Sequence, residues 1–175
     1  MRALGFVKRN SRGFTQASAL VTLYKTLVQL ILEYASVMWS PSYNCHTQQI
    51  ERVFRAFLRF LAHKLSIPHE NIDYHELARR FNLLFPHNRR SCSDVSFLHG
   101  LLSGRIDAPD LLARVGFLVP RLTSRSATPF AVPFSSTNYL YNRPMCHIPR
   151  LVNFFSTSPP FIDIVKGILL YTFLN

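Results

Sequence analysis

The acidic residues are the first place to look for chemistry, because polymerase, nuclease and hydrolase reactions rely on clustered carboxylates to hold Mg²⁺ or to share a proton. This chain has nine Asp and Glu in 175 residues, and no two are adjacent. Asp107 and Asp110 bracket Pro109 in "GRIDAPDLL", where turn and helix N-cap roles suit them better than a metal site. Glu33 falls in the apolar stretch "LILEYASVMWSP", yet a helical wheel aligns it with Gln29 and Lys25. That reads as a solvated or hydrogen-bonded edge residue, not a catalytic acid. Seven histidines raise the question of a metal. Cys45–His46 and Cys146–His147 are adjacent pairs without the separation of a chelating loop, and His63, His69 and His75 are six apart, which suits no helical face. Neither a Gly-x-Ser-x-Gly elbow nor a Gly-rich phosphate loop occurs. We therefore expect no catalytic residue, no bound metal and no cofactor in this chain.

The basic residues carry more signal. Lys and Arg number 20, a formal net charge of +11, and 16 of them are Arg. Such an excess favours an anionic partner, nucleic acid first and an anionic membrane surface second. The cations group as Lys8, Arg9 and Arg12, then Arg52, Arg55 and Arg59 on one helical stripe, then Arg79, Arg80, Arg89 and Arg90 flanking "FNLLFPHN". These ten are the candidate nucleic-acid-binding residues. They could follow a phosphate backbone without reading bases. The bland alternative is that each stripe is only the solvated face of its helix.

The elements that must position them follow from periodicity. Residues 1–15 read as a basic leader, with Gly13 as a breaker. A helix is expected over about 17–38, apolar on most sides and so central to a bundle. Pro41 ends it. A second helix over about 46–64 turns Phe54, Phe57 and Leu61 toward Leu27, Ile31 and Tyr34 of the first, with Met38 also inward and Trp39 capping the core. The short link favours antiparallel packing. Helices at 73–81 (Asp73 as N-cap), 88–103, 148–156 and 161–172 follow. Eight of the 11 prolines lie from Pro109 onward, in extended chain and turns with a short strand. The fold expectation is mostly α: a small bundle built on two long antiparallel helices (domain 16–105), then an irregular Pro-rich extension (106–175). Three separated cysteines and no secretion signal point to an intracellular protein, nuclear or cytoplasmic, not a secreted one. No stretch is long and apolar enough to span a membrane.

Several blocks resemble a known family. "LGFVKRNSRGF", "LYKTLVQLILEYASVMWSP" and "IERVFRAFLRFLAHKL" resemble the region after the catalytic palm in reverse transcriptases of Jockey-type non-LTR (LINE-like) retrotransposons. "LLSGRIDAPDLL" and "VPRLTSRSATPFAVPFSSTNYLYNRPMCHIPRLVNFFS" are similar to the downstream part of the same proteins. The resemblance runs in order over residues 3 to 164. It implies a helical thumb, which holds the RNA/DNA primer–template, and a C-terminal extension. The palm's Tyr/Phe-Ala-Asp-Asp motif does not occur, so the paired Mg²⁺ ions would belong to a palm outside this chain. The implied partners are the primer–template duplex and the upstream palm and fingers. Two rival readings are an interaction domain that packs on that polymerase core and a basic amphipathic membrane-surface protein, the latter the less favoured.

Overall fold

The computed structural model describes residues 2–68, 70, 72–118 and 128–156. The chain is mostly helical and divides into two compact units, Met1–Arg90 and Ser91–Asn175. Each is considered by itself.

The first unit begins with α1 (Arg2–Asn10), which is no appended leader. Leu4 and Val7, three residues apart on one face, are buried in the core, and Ser11 Oγ closes the helix by donating to the Val7 carbonyl at 2.6 Å. Lys8 and Arg9 in the last turn suit the negative end of the helix dipole.

The single helix expected over 17–38 forms as a broken series. α2 (Ala17–Tyr24) runs into a π-helical segment (Lys25–Gln29), then α3 (Leu30–Glu33) and α4 (Ser36–Trp39). A π turn takes up an extra residue, so the wheel advances less per residue than the 100° of an α-helix. The inward positions become Leu20, Tyr24, Val28 and the partly buried Leu32, spaced by four. At 100° steps Ile31 would have been inside, but it is 68% exposed. The chain then breaks at Tyr34, and Ala35 adopts the left-handed conformation (φ 51°) before α4 restarts. Tyr34 and Met38, also expected inside, are 81% and 72% exposed. Leu27 and Trp39 are exposed too; Trp39 spends its indole N–H on the Tyr34 carbonyl and caps no core. The segment is therefore buried on one face only, and its second apolar face lies open.

α5 (Asn44–Lys64) matches its periodicity. Val53, Phe54, Phe57, Leu58, Leu61 and Ala62 are buried at helical spacing, and Arg52, Arg55 and Arg59 are exposed. The Tyr24 ring stacks on Phe57 with centroids 4.1 Å apart. These two residues lie almost equally far before and after Pro41, the relation an antiparallel pair requires. α6 (Tyr74–Arg80) is capped as expected: the Asp73 carboxylate accepts from the His75 and Glu76 amides at 2.8 and 3.3 Å. α7 (Pro86–Leu102) starts with proline at a position that lacks an amide partner anyway. Gly104, just beyond its end, takes φ +70°, which glycine adopts without strain.

In the second unit Leu98, Leu101, Ile148 and Val152 are buried. The described parts of the Pro-rich region hold short elements, as expected. α8 (Pro109–Leu112) precedes a two-residue strand β1 (Gly116–Phe117), paired antiparallel with β2 (Phe130–Ala131). α9 (Asn138–Tyr141) and α10 (Pro144–Ser156) follow. The Asn153 amide pins α10 to β2, accepting from the Phe130 N–H at 3.1 Å and donating to its carbonyl at 2.8 Å. The helix expected over 161–172 lies outside the described residues.

Candidate nucleic-acid interface

The outward face of α5 is the starting point. Arg52, Arg55 and Arg59 share it because positions three and seven apart recur on one side of a helix. Phe57 and Leu61 anchor the opposite side, so the helix cannot roll. At ~1.5 Å per residue the face from Arg52 to Arg59 is roughly 10 Å long.

α1 extends this face sideways. The Lys8 ammonium lies 5.8 Å from the centre of the Phe60 ring. Burial, and secondarily the positive charge of Arg59, push its pKa below the usual lysine value. Lys64 Nζ donates to the Arg12 carbonyl at 2.6 Å and ties the chain after α1 to the end of α5. Arg9 and Arg12 are exposed. The α5 ridge itself is Arg52, Arg55 and Arg59; Lys8 and the Arg12 carbonyl meet α5 at Phe60 and Lys64, long-range contacts that leave no spacing signal in the sequence.

The remaining candidates are placed differently. Arg79 and Arg80 are exposed in the last turn of α6, with the Arg80 guanidinium 5.7 Å from the Phe81 ring. Arg89 and Arg90 do not present free cations to solvent. Arg89 Nε donates to the Glu33 carboxylate, its Nη1 donates to the Leu84 carbonyl at 2.5 Å, and its guanidinium sits 5.7 Å from the Phe54 ring. Arg90 is 4% exposed. For Arg89 the reason is Glu33: an inward-facing guanidinium needs a carboxylate and several acceptors, and α3 supplies one. Glu33 is thus a hydrogen-bonded edge residue, as expected, with a partner 56 positions away. A parallel tie joins α5 to the start of α7, where Glu51 accepts from the His87 amide at 3.1 Å and lies 3.3 Å from its ring Nδ1. Deeper in, burial pushes the Tyr24 phenol up to about 12, against the pull of the neighbouring Arg89 charge.

Asp107 and Asp110 are exposed around the start of α8; the N-cap is Ala108, so neither caps the helix as expected. His147 Nε2 lies 3.5 Å from the buried Asp94 carboxylate, and its Nδ1 lies 3.4 Å from Arg150 Nη2. Among the described residues no group of three His, Cys, Asp or Glu is placed to hold a metal ion, and no helix is long and apolar enough to cross a membrane.

No family model, no curated protein and no solved structure matches the chain.

Proposed function

We propose that the first unit holds nucleic acid by its phosphate backbone, as a thumb-like, non-catalytic module of a retrotransposon RNA-directed DNA polymerase. The α5 ridge of Arg52, Arg55 and Arg59 carries this reading, with Lys8, Arg9 and Arg12 as further candidates, because its three charges share one exposed face of a helix anchored in the core. Its exposed arginines offer bidentate donors matched to phosphate oxygens. The ordered sequence blocks that resemble the post-palm region of Jockey-type enzymes supply the polymerase context, with an RNA/DNA hybrid as the ligand.

The test is binding of a labelled RNA/DNA hybrid by the full chain across a salt series. Each phosphate contact contributes about 0.9 to the log–log slope on a B-DNA reference. Arg52→Glu, Arg55→Glu and Arg59→Glu together should lower that slope by roughly 3 and weaken all hybrid sequences alike. Binding that ignores both salt and the triple change would sink the proposal.

A second reading rests on a separate observation. The open apolar face of α2 to α4, with Leu30, Ile31, Tyr34 and Met38, suits packing on the palm and fingers of the same polymerase. The two readings use different surfaces and are compatible.

A further inference from the structure

Between Leu111 and Ile162 the sequence holds five arginines and no acidic residue. Two of those arginines are seated on tyrosines in the second unit. The Arg143 guanidinium carbon is 5.7 Å from the centre of the Tyr139 ring, and that of Arg150 is 3.5 Å from the centre of the Tyr141 ring. Arg150 is fixed in place: Nη1 donates to the Tyr141 carbonyl at 3.2 Å, and Nη2 meets His147 Nδ1 at 3.4 Å. The turn that carries the tyrosines is braced as well. Thr137 Oγ1 accepts from the Leu140 amide at 3.3 Å, and Asn142 Nδ2 donates to the Asn138 carbonyl at 2.8 Å. Tyr139 is 79% and Tyr141 47% exposed, unusual for rings on so well-braced a turn. The nearby carboxylate, Asp94, is buried and faces His147, so it does not neutralise the surface.

We propose that α9, with Arg143 and Arg150, is a binding surface for single-stranded nucleic acid. Exposed tyrosine rings that carry a guanidinium over one face leave the other for an unpaired base, each of which has a π face, with the cation near its phosphate. Tyr139 and Tyr141 are two residues apart on a helical turn and leave it in different directions. A stiff duplex cannot stack on both. A single strand can bend round the turn and splay successive bases onto each ring. The residues of this surface all belong to the second unit, and the proposal does not depend on the reading given to the α5 ridge.

The experiment uses the full chain and the chain with Arg52, Arg55 and Arg59 changed to Glu, so that failure of the ridge and failure of this surface are told apart. Anisotropy is read with labelled oligo-U and oligo-dT of about 12 nucleotides, within the range of known single-strand site sizes, and with a hybrid duplex. Tyr139→Ala with Tyr141→Ala should weaken both single strands at least about tenfold and leave the duplex unchanged. Tyr139→Ala alone, at a position too exposed to endanger folding, should weaken them about fivefold. Tyr139→Phe with Tyr141→Phe should bind as the unaltered chain does. Weaker binding of oligo-dT than oligo-U would assign the surface to RNA, the reverse to DNA. The proposal is overturned if either alanine variant binds single strands normally, if duplex and single strand weaken together, or if heparin, a polyanion without bases, competes as well as the oligonucleotide.

Discussion

Tyr24 and Glu33 show how single residues in the first unit depend on their surroundings. The Tyr24 phenol is held neutral by burial, with a folded-state pKa near 12 against an ordinary value of 10.0. A raised folded pKa means that the folded state binds more protons between those limits. The associated stability is complete below pH 10 and is lost as pH climbs toward 12, with a slope of up to about 1.4 kcal/mol per pH unit. Urea titrations across this window should show that decline, and Tyr24→Phe, which keeps the stack on Phe57, should flatten it. A decline equally steep in the variant would assign the effect to other groups. Glu33 tests the ion pair. Glu33→Gln leaves the Arg89 charge poorly matched in a mostly buried place. It should cost about 2 kcal/mol, below the value for a fully buried pair because both side chains retain some solvent. Glu33→Leu with Arg89→Met should recover most of that loss in the same urea experiment, since an apolar pair carries no desolvation penalty.

At the scale of elements, the π segment decides how the first unit is built. Flanking helices keep their faces only because one residue is absorbed between Tyr24 and Val28. Deletion of the exposed Thr26 should remove the extra residue and convert the segment to regular α-helix. Val28 and Leu32 then follow Tyr24 at three and seven positions, which is ordinary helical spacing. The variant is expected to fold with a melting temperature within a few degrees of the parent, whereas deletion of Arg55 in α5, which rotates Phe57 and Leu61 out of the core, should abolish cooperative unfolding. Similar loss from both deletions would refute this account of the π segment. The same contrast explains what the amino-acid pattern made legible. α5 was readable because its period is regular from Ile50 to Leu61, and the Asp73 cap because its signal is local. Regular periodicity puts Ile31, Tyr34 and Met38 inside, and the fold turns them out, because a π turn and a left-handed Ala35 leave no compositional trace. In the candidate interface, the Arg52 stripe was visible as a stripe. Arg89 was not distinguishable from it, since its partner Glu33 is brought near only by the tertiary fold.

At the scale of the whole molecule, the proposed partners turn on how charge and exposed apolar surface are distributed over the first unit. The first unit holds 13 Lys and Arg against five Asp and Glu, and the same unit leaves Leu30, Ile31, Tyr34 and Met38 open to solvent. A basic face answers to a polyanion; an apolar face on the same small body answers to a protein surface or to another copy of itself. The two demands can be separated by mutation. Ile31→Lys with Met38→Lys alters positions with little native contact, so folding stability should shift by less than about 0.5 kcal/mol per site. If the apolar face normally packs on a polymerase core, this pair should reduce aggregation of the isolated chain, measured by light scattering. It should also abolish co-purification with a co-expressed palm-and-fingers segment, while hybrid binding through the Arg52 ridge stays intact. A shift from dimer to monomer in light scattering, with co-purification preserved, would instead assign the face to self-association and count against packing on the core. Large loss of stability would mean that the face is already covered within the chain, and would remove the argument for either partner.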